Sequence, residues 1–298
     1  MAYECMTLCL SHSPGIARDE QKVHGTRFRE GMRLAREAVR EFDPTLVIFF
    51  GSDHRRAYQD ILPAFSVVYA AEGLGDLRSP TGPYNVPEQI AADLTAALLN
   101  EGFDVAITRK IALDHGFGQT MADILGSLDA VPTVPIFINC ATPPLASPRR
   151  AAELGAAVGR FAANLDERVL FIGSGGLSHS PPTLALTTAG LSEEERRELS
   201  AKHREAAKDK IRPDWDEAFL ERLGAQDNSW AFAVTQEFID PAGVGANEVR
   251  TWLAAYLAGG KPLRRVAYEP VREWITGMGV AMSDYSPAKA VRPAGVSH

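Results

Sequence analysis

Short apolar runs alternate with stretches of helical periodicity along almost the whole chain, and no other feature of the sequence restricts the fold as much. Runs that read as strands are Met6–Leu10, Thr45–Phe50, Phe65–Ala70, Val105–Thr108, Val134–Ile138 and Arg168–Ile172. Between the first two, Phe28, Met32, Ala35, Val39 and Phe42 recur at helical spacing, and Pro44 stops the segment. Further helices are read over Pro87–Leu99, Phe117–Leu128 and Ser147–Leu165. The expectation is an α/β fold with a central mixed or mostly parallel sheet flanked by helices and a site at strand ends.

No Pro/Gly/Ser-rich linker divides the 298 residues, so residues 1–298 read as one domain with a single large core. The texture changes after Pro182. "SEEERRELSAKHREAAKDK", within Ser192–Asp227, is crowded with charge and reads as solvated helices. Two readings of residues 183–228 stay open: a surface insertion, or a cover over a pocket.

Several function classes are excluded early. The formal net charge is −7, and no Lys/Arg block stands ready to read phosphates, so no nucleic acid partner is expected. No apolar stretch reaches the length of a membrane span, and no basic-then-hydrophobic leader opens the chain; a cytoplasmic protein with no membrane partner is expected. Cys5, Cys9 and Cys140 are too few and too scattered for a disulfide framework and read as small buried residues. "GLGDL" at Gly73–Leu77 lacks the third glycine of a dinucleotide turn. "IGSGGLS" at Ile172–Ser178 lacks both the phosphate-loop ending and the hydrolase elbow spacing. There is no His-Glu-x-x-His.

The histidines remain. Leu-Ser-His-Ser-Pro occurs twice, in "LCLSHSPG" around His12 and "GGLSHSPP" around His179. His54 follows "TLVIFFGSD" and His115 follows "VAITRKIALD". Four of the seven histidines thus leave an apolar run beside Gly, Ser, Asp or Pro, where ligand sites of open α/β sheets form. His24, His203 and His298 read as surface residues. Imidazoles without cysteine suit a divalent metal, and two of them with one carboxylate leave positions open for substrate and oxygen. Glu248, on the edge of the apolar stripe Val249, Trp252, Leu253, Tyr256 and Leu257, is a candidate carboxylate. It reads equally well as a charge at a helix N-terminus.

These residues together resemble the class III extradiol ring-cleavage dioxygenases over nearly the whole chain. The likeness is carried by "CLSHSP", "SDH", "LDHGF", "VPIFIN", "RVLFIGSGGLSH", "EVRTWLAA" and "EWITGMG". The resemblance implies Fe(2+) as cofactor, with His12, His54 and Glu248 as its ligands and His115 and His179 as the acid–base pair. It implies a small-molecule catechol, substituted at position 3, and O2 as substrates, and a homo-oligomeric enzyme. Asp53 and Asp114 each precede one of the histidines; each reads as orienting a ring nitrogen or as a turn former. Gly173–Gly176 reads as close backbone approach or a tight turn. Among Arg55, Arg56 and Arg78 the sequence does not choose a binder for a substrate carboxylate. Two rival readings remain: a zinc hydrolase, since two His and one Glu also make an open zinc site, and a non-catalytic binding protein on the same fold.

Overall fold

A computed structural model describes residues 3–184 and 191–288 of the chain, so His298 and residues 185–190 of the 183–228 segment lie outside the described residues. The strands are β1 (Glu4–Leu10), β2 (Leu46–Gly51), β3 (Phe65–Val68), β4 (Ala71–Leu74), β5 (Thr81–Pro83), β6 (Ala106–Thr108), β7 (Ile111–Leu113), β8 (Thr133–Ile138), β9 (Arg168–Ser174), β10 (Leu263–Val271) and β11 (Thr276–Ser283). The helices are α1 (Pro14–Arg18), α2 (Thr26–Phe42), α3 (Glu88–Asn100), α4 (His115–Leu125), α5 (Pro148–Ala162), α6 (Glu193–Lys208), α7 (Pro213–Leu223), α8 (Gln236–Ile239) and α9 (Val249–Gly259).

The main sheet runs β10-β11-β1-β9-β2-β8-β3-β6, and β5-β4-β7 form a small second sheet. Its centre, β1-β9-β2-β8, is parallel, while β11 joins β1 and β3 joins β8 antiparallel. The expected mixed α/β sheet is therefore present. Helices cover both faces, so the central strands are buried on both sides and read as continuous apolar runs. Along β1, Met6, Leu8 and Leu10 enter the core under α2, while Cys5 and Cys9 enter the core under α5 and α9.

Helix α9 lies closest to the sheet, and three glycines allow it. A Cβ on Gly155 would fall 2.1 Å from the Ala254 carbonyl oxygen, and one on Gly159 2.4 Å from that of Ala258. On the other side, a Cβ on Gly173 of β9 would fall 2.7 Å from the Thr251 carbonyl oxygen. With side chains absent there, the backbones of α5, α9 and β9 meet directly. That contact sets the N-terminal end of α9, with Glu248 just before it, beside the end of β9.

The charged segment divides into two kinds of helix. In α6 only Arg196 and Ala207 are buried, as expected for a solvated helix, and Ser192 and Glu195 form its capping box. Helix α7 instead buries Asp216, Phe219, Leu220 and Leu223, with Phe219 stacked on Trp215. Its exposed charges concealed a core-packing face. The hairpin β10–β11 was not among the expected strands. Its inner strand, "TGMGVAMS", is wholly buried, and its larger residues alternate with glycine and alanine rather than with polar residues. No described helix is long and apolar enough to cross a membrane.

Candidate metal and active site

Neighbouring strands β1, β9 and β2 run in parallel, so their C-terminal ends open on the same side of the sheet. His12 follows β1, His54 follows β2, and His179 stands on the loop after β9. His115 is the first residue of α4, with Asp114 as N-cap. Glu248 is the N-cap of α9. The five residues singled out in the sequence converge. His12 Nε2 lies 3.3 Å from His54 Nε2, which lies 2.8 Å from Glu248 Oε1. The His54 and His115 rings stack with centroids 4.3 Å apart, and His12 meets both edge to face. His179 Nε2 is 4.0 Å from Glu248 Oε2.

Each histidine is fixed through its other nitrogen. Ser174 Oγ donates its hydrogen to the Gly116 carbonyl, so it can accept one from His12 Nδ1, 2.9 Å away. His54 Nδ1 donates to Asp114 Oδ2 at 2.9 Å, and the His54 backbone N–H donates to the same oxygen at 2.7 Å. His115 Nδ1 donates to Asp76 Oδ2 at 2.7 Å. His179 Nδ1 donates to the Leu177 carbonyl at 2.9 Å. In the neutral rings all four Nε2 lone pairs are therefore left bare, the state in which imidazole binds a metal or takes a proton.

This donor set fits a divalent cation. Two bare nitrogens 3.3 Å apart, beside a carboxylate and almost sealed from water, repel one another unless a proton or a metal lies among them. Burial drives the His12 imidazole down to about 3, so it stays neutral. His54 goes the other way: burial opposes its charge, but the Asp114 and Glu248 carboxylates raise it well above the usual imidazole value. The two carboxylates thus favour positive charge among these donors, the condition a bound cation would meet. Burial would raise Glu248 as well, yet the surrounding histidines hold it well below the usual carboxylate range, and the Gly176 N–H donates to its second oxygen. The donor atoms of His12, His54 and His115 also lie within 4.8 Å of one another.

The two aspartates separate. Asp53 accepts from the backbone N–H groups of Arg56, Ala57 and Tyr58, which makes it a turn former. Asp114 does orient a histidine, but that histidine is His54 rather than the adjoining His115. Asp76, the carboxylate behind His115, and Ser174, behind His12, were not singled out in the sequence. Asp76 lies inside "GLGDL", whose spacing carries no signal for a partner far along the chain. The glycine run proves to be close approach: a Cβ on Gly175 would sit 2.7 Å from Glu248 Cβ, and one on Gly176 2.4 Å from the His179 ring. Gly245 closes on that ring from elsewhere, at 2.3 Å by the same measure. The His179 loop is braced by α7, where Asp216 accepts from the Ser178 N–H and hydroxyl at 2.7 Å each. Of the three arginines, Arg55 donates to the Ala141 and Leu184 carbonyls, Arg56 pairs with Asp76 and Glu193, and Arg78 pairs with Glu20 at the surface. His203 is exposed on α6, and His24 is half-buried near Glu273. All three cysteines are buried and free.

An α/β sheet that gathers four anchored imidazoles and a buried carboxylate at its strand ends has the donor set of an open metal site. Residues 6–279 match the family described as the catalytic LigB subunit of aromatic ring-opening dioxygenase, and the chain belongs to that family. It is an oxidoreductase that opens aromatic rings with O2. It is 38% identical over 305 residues to a 2,3-dihydroxyphenylpropionate/2,3-dihydroxicinnamic acid 1,2-dioxygenase of Rhodococcus sp, a match covering 92% of this chain and 97% of the relative. Proteins of the same name from Rhodococcus jostii (strain RHA1) and Azotobacter vinelandii (strain DJ / ATCC BAA-1303) are 36% and 34% identical, each match covering 93% of this chain and 97% of the relative.

Proposed function

We propose that the chain cleaves a 3-substituted catechol, 2,3-dihydroxyphenylpropionate or a close analogue, beside its diol, using Fe(2+) held by His12, His54 and Glu248. The observation that carries this reading is the meeting of those three donors with their far sides anchored. Glu248 is preferred to His115 as third ligand on geometry. Stacked rings point their nitrogens side by side rather than at one ion, and His115 stacks on His54. The substrate comes from the names of relatives matched along almost their whole length. Iron bound there would supply open coordination positions and the one-electron chemistry that O2 requires.

The chain's own groups manage the protons. Asp76 stands behind His115, so that ring can take a hydroxyl proton at Nε2 while a carboxylate supports the resulting cation. His179 Nδ1 donates to the Leu177 carbonyl, which leaves its Nε2 turned toward Glu248 at the strand ends. On this reading His115 acts as base on the incoming diol, and His179 as the acid that returns a proton to oxygen. Both atoms of O2 enter the ring-opened product.

Anaerobic loading with Fe(2+), followed by a panel of substituted catechols read by oxygen uptake and the yellow product, tests the proposal. 2,3-Dihydroxyphenylpropionate should be cleaved best. Activity with zinc on an ester, and none with iron on any catechol, would sink it. His115→Gln and His179→Gln should each lower the rate by roughly 10²–10⁴-fold with iron retained, whereas His12→Ala and His54→Ala should lose the iron. We further place the enzyme in the cytoplasm as a homo-oligomer built of one catalytic unit per chain; light scattering of the purified protein checks the assembly.

A further inference from the structure

Asp114 adjoins His115 yet serves His54, so the carboxylate behind His115 has to come from elsewhere. It comes from Asp76, in the connection between β4 and β5, whose Oδ1 accepts from the His115 backbone N–H at 2.7 Å while Oδ2 accepts from ring Nδ1 at 2.7 Å. Arg56 Nε stands 2.8 Å from the same Oδ2. Arg56 is itself held, donating through Nη1 to the His54 carbonyl at 3.2 Å and through Nη2 to Glu193 of α6 at 3.3 Å. The side chain of Asp76 is only 10% exposed.

The backbone around Asp76 is strained. Leu77 and Arg78 both adopt left-handed conformations, with φ of 49° and 68°, although neither is glycine. Such residues persist only where surrounding contacts hold them, and they gather at functional sites. A surface turn needs neither that strain nor two bonds into one buried histidine.

We propose that Asp76 is a positioning residue for ring cleavage: it holds the Nδ1 hydrogen of His115 so that the bare Nε2 faces the diol, with Arg56 fixing the carboxylate. The claim rests on the reading of His115 as base. An amide at position 76 can turn its NH2 toward Nδ1, and the ring hydrogen then moves to Nε2, where it blocks proton uptake.

Nitrogen NMR of metal-free protein labelled at histidine reads this directly, with His115 assigned by its loss in His115→Gln. In the parent, His115 carries its hydrogen on Nδ1. In Asp76→Asn the hydrogen should move to Nε2, and kcat on 2,3-dihydroxyphenylpropionate should fall about 10–100-fold, with KM changed less than about threefold and iron content at the parent level. Asp76→Glu should keep the parent form of the ring and recover most of the lost rate. An unmoved hydrogen in Asp76→Asn would overturn the proposal. So would a rate loss matched by loss of iron, or an Asp76→Glu variant that keeps the parent ring form but stays as slow as Asp76→Asn. Absence of ring cleavage in the parent would instead remove the reading of His115 as base, while the nitrogen spectra judge Asp76 alone.

Discussion

His179 sits between two glycines that leave no room for a methyl group, Gly176 on its own loop and Gly245 ahead of α9. Gly245→Ala should therefore displace the ring from Glu248 and lower turnover without releasing the metal. Oxygen uptake beside metal analysis separates the two effects, and equal losses would show that the loop as a whole had moved. The four histidines that converge at the strand ends were legible in the sequence because a histidine leaving an apolar run is a local pattern. Their anchors were not. Ser174 stands 162 positions from His12 and Asp76 39 positions from His115. Nothing in either neighbourhood announces the pairing; only the fold brings them together. Asp114 shows the opposite hazard: adjacency in sequence pointed to His115, while the turn into α4 aims its side chain at His54.

Helix α9 carries Glu248 at its start and is held by bare backbone contacts with α5 and β9. Gly155→Ala would drive a methyl group into the Ala254 carbonyl, and overpacking of this kind typically costs about 1–3 kcal/mol. Urea unfolding should report that loss, with weaker iron binding as Glu248 shifts. Helix α7 yields a pH prediction. Burial raises the Asp216 carboxyl to about 6 despite its bonds from Ser178 and Tyr268, while the unfolded chain releases that proton near 3.8. Between those values the folded protein binds more protons than the unfolded one, so this group's contribution to stability falls as pH rises from ~4 to ~6. Asp216→Asn lacks that slope. The difference in unfolding free energy should therefore move in favour of the variant across the window, and a flat difference would mean that Asp216 stays ionised throughout. The amphipathic helices were legible from periodicity, as Phe28 to Phe42 on α2 shows. Strand β11 was not, because Met278, Val280 and Met282 alternate with small Gly and Ala rather than with polar residues, and both faces are buried. The face of α7 was hidden by charge density alone.

At the scale of the whole molecule, the proposed metal site ties together the ends of β1, β2 and β9 with the start of α9, so a cation bound there should stabilise the entire fold. A cation that binds only the folded state adds about 2.7 kcal/mol at a hundredfold excess over its Kd. Anaerobic Fe(2+) should raise the melting temperature of the parent and of His179→Gln but not of Glu248→Ala; an equal rise in all three would place the ion elsewhere. The cysteines bear on how such an enzyme ages in air. Cys9 and Cys140 lie sealed in the core, and burial pushes both thiols up, Cys140 to about 12, so neither offers a thiolate to peroxide or to a stray radical. If iron is bound as proposed, enzyme spent by exposure to oxygen should revive with ascorbate and fresh ferrous salt, with no thiol repair needed at Cys9 or Cys140.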